Sequence, residues 1–205
     1  GSTGGGWLRV VAEHTLAVAE GAQVTATGQD GRGGFVEVSG HGAIRLAGLP
    51  EVGAGGTLMI DPATLTIQEG SGTGSSNTVY QTDVENGLTG GANIYLVASS
   101  SIGFANSAGT PSTGSFTVTA AGSGNLTIGI GTASGGSVSE GVHTGATFNP
   151  GSTGNINLSG VSFNVNGNLD IAAGQSNGNV GLGHASATGT VSVQAGAVTG
   201  SLSMG

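Results

Sequence analysis

The sequence predicts an all-β fold, a single-stranded parallel β-helix or β-solenoid, right-handed, with one short peripheral helix near 82–88. The first observation behind this is a glycine-led phrase in strict register. Gly167-Asn168-Leu169-Asp170-Ile171 is followed by Gly178-Asn179-Val180-Gly181-Leu182, Gly189-Thr190-Val191-Ser192-Val193 and Gly200-Ser201-Leu202-Ser203-Met204, a step of 11 residues each time. Each phrase alternates apolar and small outward residues, the period-two pattern of a half-buried strand. A fixed repeat means that each unit buries its apolar face by stacking on its neighbours. The second observation is composition: 44 of 205 residues are Gly, and only 7% are charged against the usual quarter. Hydrophobic residues at 36%, regularly placed, argue for a narrow continuous core and against low-complexity disorder.

The phrase extends upstream with looser spacing. It appears at Gly5-Gly6-Trp7-Leu8-Arg9-Val10, Gly33-Gly34-Phe35-Val36-Glu37-Val38, Gly55-Gly56-Thr57-Leu58-Met59-Ile60 and Gly91-Ala92-Asn93-Ile94-Tyr95-Leu96. Further copies start at Gly114, Gly124 and Gly154, and the long gap from Leu58 to Ile94 marks an insertion. Asn-Gly and Asp-Gly hairpin turns are sparse, so consecutive strands wind rather than fold back. Two 11-residue units make a coil of about 22 residues, which gives about nine coils and a length on the order of 45 Å at ~4.8 Å per coil. Leu169 then stacks on Val191, and Val180 on Leu202.

Along the chain, strands are expected at Leu8–Val11, Leu16–Val18, Val24–Thr27, Phe35–Val38, Ile44–Leu46, Leu58–Ile60 and Leu65–Ile67, with Gly21, Gly28, Gly40 and Gly48 as turns. Residues 70–77 read as an exposed loop. Thr82 to Leu88 carries helix signals: Thr82 as cap, Asp83 and Glu85 in the first turn facing water, and Val84 and Leu88 four apart on one buried face. Strands resume from Asn93. The whole chain, 1–205, reads as one solenoid segment: a more charged zone over 1–69, a loop-and-helix insertion over 70–92, and a polar zone over 93–205. Nine of the 11 carboxylates and all three Arg lie at or before Glu85.

Charge and motifs narrow the function. The formal net charge is −8, there is no Lys, and no basic run occurs, which argues against nucleic-acid binding. No apolar run approaches the ~20 residues of a membrane span. Gly1 to Gly6 lack the features of a signal peptide, and both ends read as cut from a longer protein. Absence of Cys fits a chain exported unfolded.

Several chemistries are weighed against plain structural roles. Glu37, Asp61 and Glu51 are the nearest candidates for a carboxylate pair of a polysaccharide-degrading β-helix enzyme, but outward carboxylates on strands ordinarily keep a face soluble. Gly174-Gln175-Ser176-Asn177-Gly178 matches a bare nucleophile-elbow pattern without its strand–turn–helix context. His14, His41, His143 and His184 lack zinc-type spacing. Four Asp are too few for a calcium-bound solenoid, and a chain without Lys makes no P-loop. Phe116-Thr117-Val118-Thr119 and Val24-Thr25-Ala26-Thr27 are locally ice-binding-like without a sustained array. Asn125-Leu126-Thr127 and Asn157-Leu158-Ser159 are glycosylation sequons falling in expected strands. Trp7, Phe35 and Phe116 read as corner or core aromatics. No catalytic, cofactor-binding or metal residue is assigned, and the chain is read as a non-enzyme.

Gly33-Gly34-Phe35-Val36-Glu37-Val38-Ser39-Gly40, followed by Gly55-Gly56-Thr57-Leu58-Met59-Ile60-Asp61-Pro62-Ala63-Thr64-Leu65-Thr66-Ile67, resembles the filamentous-haemagglutinin-like exoproteins of two-partner secretion systems. Thr78 to Ile94 matches the segment that follows these phrases in that family, and the resemblance is best over about 33–130. It implies a right-handed parallel β-helix at a bacterial surface, secreted through an outer-membrane partner and facing a host-cell, matrix or surface ligand. The expected role is a shaft or adhesin segment of a long rod. The alternatives are a self-assembling fibre subunit stacking end to end and, third, the enzyme. Asp61-Pro62 is expected to form a turn and corner.

Overall fold

The computed structural model describes residues 5–29, 31–134, 138–139, 142–143, 146–174 and 178–204. Along the chain the elements are β1 (Trp7–Ala12), β2 (Thr15–Val18), β3 (Phe35–Gly40), β4 (Ala43–Leu46), β5 (Thr57–Pro62), β6 (Thr64–Gln68) and β7 (Thr78–Tyr80). Helix α1 (Gln81–Thr89) follows, then β8 (Asn93–Ala98), β9 (Ser101–Ala105), β10 (Phe116–Ala120), β11 (Leu126–Ser134), β12 (Val138–Ser139), β13 (Val142–His143) and β14 (Thr147–Pro150). The chain continues with β15 (Asn155–Val165), β16 (Leu169–Ala172), β17 (Asn179–Ala187), β18 (Val191–Gln194) and β19 (Ala197–Met204).

The protein is all-β and its two large sheets are built from parallel strands. The first runs β1-β3-β5-β8-β11-β16-β18 and the second β19-β17-β15-β9-β6-β7, with β10 added against β15. The short sheet β2-β4 meets β7 through Asn77, whose backbone N–H donates to Ile44 O at 2.6 Å and whose Oδ1 accepts from Ile44 N–H at 2.7 Å. Asn77 has φ 53°, a left-handed conformation that Asn tolerates better than most residues.

Period-two patterning sets the core. In the first sheet, Leu8, Val36, Leu58, Ile94, Leu126, Leu169 and Val191 stand in register across seven strands. Val10, Val38, Ile60, Leu96, Ile128, Ile171 and Val193 form a second column beside them. In the second sheet, Leu65, Ile102, Ile156, Val180 and Val198 are in register. The central members are fully buried: Leu58, Ile94, Leu126, Leu169, Ile102 and Val180 are each at most 2% exposed. At ~25 cal/mol per Å² of apolar surface, these ladders are the main source of stability.

The leading glycines have a steric cause. A Cβ on Gly167 would lie 2.0 Å from the carbonyl oxygen of Gly124, and one on Gly33 would lie 1.8 Å from the nitrogen of Gly56. The backbone of one level passes so near the next at these corners that no side chain fits.

The Leu169–Val191 stacking is observed, a step of 22 residues. Val180 instead lies opposite Val198, and Leu202 opposite Ala185. The connector from β18 to β19 is short, with Gly196 N–H donating to Gly178 O at 2.8 Å, so the last strand begins earlier than the glycine phrase suggests. The first sheet has seven parallel strands among the described residues, against about nine coils expected. Larger steps account for this, for example 32 residues from Asn93 to Asn125 and 43 from Asn125 to Asn168. The larger step contains an arm absent from the sequence expectation: the C-terminal half of β11 leaves the sheet and pairs antiparallel with β14.

Helix α1 forms as expected over the insertion, one residue longer at each end, with Val84 and Leu88 buried. Two details differ. The cap position is Tyr80, with no side-chain cap, because Thr82 already lies inside the helix. Asp83 and Glu85 are half-buried rather than solvated. Glu85 accepts from Gln81 Nε2 at 3.0 Å and from Thr119 N–H at 2.8 Å, which ties the helix to β10. Residues 70–77 are irregular, as expected. Val24–Thr27 is no strand; Thr25 makes only a bridge to Glu51. Asp61 and Pro62 are not a turn but the end of β5, opposite Ser39 and Gly40, where β8 no longer pairs and a missing N–H costs nothing.

Candidate functional site

Outward positions of a strand normally face water. In the first sheet one outward row reads Arg9, Glu37, Met59, Tyr95, Thr127, Asp170 and Ser192. Its middle is covered: Glu37 is 2% and Met59 0% exposed. Residues Gly131, Thr132, Ala133, Phe148 and Pro150 of the β11–β14 arm line recesses over this face. Phe148 gains its place because Gly129 has no side chain; a Cβ there would fall 2.3 Å from the ring. The covered face thus has two recesses bordered by the arm.

The first, about 220 Å³, is lined by Arg9, Glu37, Ser39, His41 and Asp61 with Thr132 and Ala133. Two of the three carboxylates singled out from the sequence meet here. Glu37 Oε1 accepts from Arg9 Nε and Ser39 Oγ, both at 2.9 Å, while Oε2 is buried without a hydrogen-bond partner among the described residues. Burial first, and the charge of Glu37 second, push the Asp61 carboxyl up to about 6; the Ala133 N–H and the nearby His41 act the other way. Such a pair holds charge out of water and favours a proton on Asp61.

The second recess, about 320 Å³, is lined by Tyr95, Thr127, Phe148, Pro150, Asp170, Ile171, Ala172, Ser192 and Gln194. Burial raises the Asp170 carboxyl, and the Ser192 hydroxyl donating to it opposes the rise. Burial and the Asp170 charge both raise the Tyr95 phenol. Sequence reading missed this cluster. The signal was their shared place, two residues after Asn93 and Asn168, at outward positions of β8 and β16.

Glu51, the third carboxylate, lies in a different recess of about 430 Å³ beside α1, with Asp83, Asn86 and an apolar floor of Leu58 and Ile94. Burial raises the Asp83 carboxyl. Among the histidines, His41 faces Asp61, His184 is opposite Ser162 in the second sheet, and the carbonyl of His14 is packed against Gly42. His143 pairs through its backbone with Val138. Among the described residues no group of three or more His, Cys, Asp and Glu is placed to hold a metal. Gln175 to Asn177 of the elbow-like pattern lie outside the described residues, between Gly174 and Gly178.

The polar outward positions form ladders. Asn125 Nδ2 donates to Asn93 Oδ1 at 2.6 Å, Asn168 N–H donates to Asn125 Oδ1 at 2.8 Å, and Thr190 N–H donates to Asn168 Oδ1 at 2.9 Å. The first sequon asparagine is thus engaged in the corner, whereas Asn157 of the second is exposed. Thr117 and Thr119 point outward but lie opposite Ser162 and Asn164, so no threonine array develops. Phe116 is core and Phe35 is buried on the outward face under Trp7, which is 44% exposed and stacks on it at 6.3 Å between ring centroids. No helix among the described residues is long and apolar enough to cross a membrane. Comparison with protein-family models, with curated proteins and with solved structures finds no match to this chain.

Proposed function

We propose that this chain is a shaft segment of a filamentous-haemagglutinin-like exoprotein, a right-handed parallel β-solenoid displayed at, or secreted from, a bacterial surface as part of a long adhesive rod. One observation carries the reading: two aliphatic columns continue in register through seven parallel strands, so the stack is built to be extended by adding levels. Glycine corners and asparagine ladders repeat with the same steps and support the same architecture. Secretion through an outer-membrane partner follows from the family resemblance. Electron microscopy of the parent protein tests the proposal. A thin rod to which this segment contributes roughly 34 Å, seven levels at ~4.8 Å, is expected; a globular particle overturns it.

A second reading has its own observation. On the edge strand β1, Trp7, Leu8 and Val11 are 44%, 38% and 51% exposed. An unpaired parallel edge with apolar residues is a template for another strand. End-to-end stacking of separate copies into a fibre would cover it, and sedimentation of the purified chain as concentration-dependent filaments would favour this over the shaft.

A further inference from the structure

We propose that the recess between Tyr95, Asp170 and the arm residue Phe148 is a binding subsite for an uncharged saccharide. The inference is independent of the shaft reading: binding can fail while the rod stands, and the reverse.

The recess is built, not left over. Tyr95, Thr127, Asp170 and Ser192 occupy one outward row on four neighbouring strands, β8, β11, β16 and β18. The other members of the row are Arg9, Glu37 and Met59, of which Glu37 and Met59 are buried; at the recess the row turns to an aromatic, an acid and two hydroxyls. The arm supplies the opposite wall, and Gly129 gives Phe148 the room to lie against the sheet. Its volume of about 320 Å³ lies at the small end of ligand sites, suited to one or two sugar rings.

The chemistry of the lining selects the ligand class. Tyr95 and Phe148 present aromatic surface to the C–H face of a pyranose. Asp170 is an exposed carboxylate with acceptor capacity for neighbouring hydroxyl groups, its orientation steadied by the Ser192 hydroxyl. Thr127 and Ser192 carry hydroxyls and Gln194 an amide, groups that both donate and accept, as a polyol requires. Among the described residues no Arg, Lys or His lines the recess, so a uronic acid or phosphate would meet Asp170 without a counter-charge. Among the described residues the lining has a single carboxylate, which argues for binding rather than glycoside hydrolysis, since that uses two flanking the bond. A small cation would satisfy Asp170 and the rings but leave the neutral polar groups unmatched.

The test is a printed array of neutral and uronic-acid-containing oligosaccharides probed with the labelled chain, followed by calorimetry on the neutral glycan bound best. At least one neutral class is expected to bind. Its affinity should fall at least tenfold in Phe148→Ala and in Asp170→Asn, fall less in Tyr95→Phe, and stay unchanged in Glu51→Gln, which lies in another recess. Tyr95→Phe keeps the ring and guards against a folding artefact, as does thermal melting of each variant. Three results overturn the proposal: no neutral glycan bound, wild-type affinity retained in both Phe148→Ala and Asp170→Asn, or binding confined to uronic acids.

Discussion

Asp61 on β5 stands directly opposite Ser39 on β3, whose hydroxyl donates to Glu37, so two carboxylates share one covered patch of sheet with a single Arg at its edge. The consequence is a defined pH dependence. The folded pKa of Asp61 is about 6 against 3.8 as the ordinary value, so between those pH values the folded state binds a proton that the unfolded state does not. The stability that this proton brings is present at pH ~4 and is lost as the pH rises through about 6. Asp61→Asn removes the charge and keeps an acceptor for the Ala133 N–H. It should stabilise the protein at pH 7 by ~1–2 kcal/mol, less than the full shift implies because Asp61 is partly solvated. It should have little effect at pH 4. Denaturant titrations of both proteins at the two pH values check this, and an equal difference at both would refute it.

The Arg9–Glu37 pair behaves differently. Glu37 is buried and Arg9 half-exposed, so removing the cation strands a carboxylate in a dry site. Arg9→Met is expected to cost ~2–3 kcal/mol. The double change Arg9→Met with Glu37→Met should recover most of that, since apolar residues of similar size replace buried ion pairs without loss. Urea midpoints of the three proteins decide the matter; a double variant as unstable as the single one contradicts it.

Inward and outward neighbours should differ sharply. Leu126 is fully buried between Ile94 and Leu169, and Thr127 faces outward. Leu126→Ala should cost ~2–5 kcal/mol and Thr127→Ala within ~0.5 kcal/mol. Val191, in the last strand of the first sheet, is only half-buried, so Val191→Asp should be milder than Leu169→Asp. Thermal unfolding of the four variants reads this directly.

The corner glycines give a fourth expectation. Gly167→Ala forces a methyl group against the Gly124 carbonyl and should cost ~1–3 kcal/mol or more. Gly48→Ala, where nothing lies within 4 Å and φ is not positive, should be close to neutral. Comparable losses in the two variants would show that close approach is not the cause, since the chain-entropy effect of Gly→Ala alone is stabilising.

The strand cores were legible because burial imposes period two, and it does so from Val36 to Ile171. The step of 22 residues was legible from the glycine phrase because Gly167 and Gly189 occupy stacked corners. The arm was not: once β11 leaves the sheet, its residues pair with β14 and obey no coil register. The slip of Val180 to Val198 was hidden because connector length, not the position of the next glycine, sets the register of β19. Glu37 and Asp61 could be named, together with Glu51, as candidates for a pair, since their spacing could bring two of the three onto neighbouring strands of a stack. Tyr95 and Asp170 could not, because they lie 75 positions apart along the numbering and only the stacking joins them.

Neighbouring strands in the first sheet are joined by hydrogen bonds that run along the direction of stacking, while the chain itself runs across it. A pull along that direction therefore loads one rung at a time. Each rung released frees at least the 22 residues between Asn168 and Thr190, on the order of 75 Å of slack at ~3.4 Å per residue. A short stack thus conceals a long tether. Under tension it would lengthen in steps, the largest where the 43 residues from Asn125 to Asn168, arm included, are let go together.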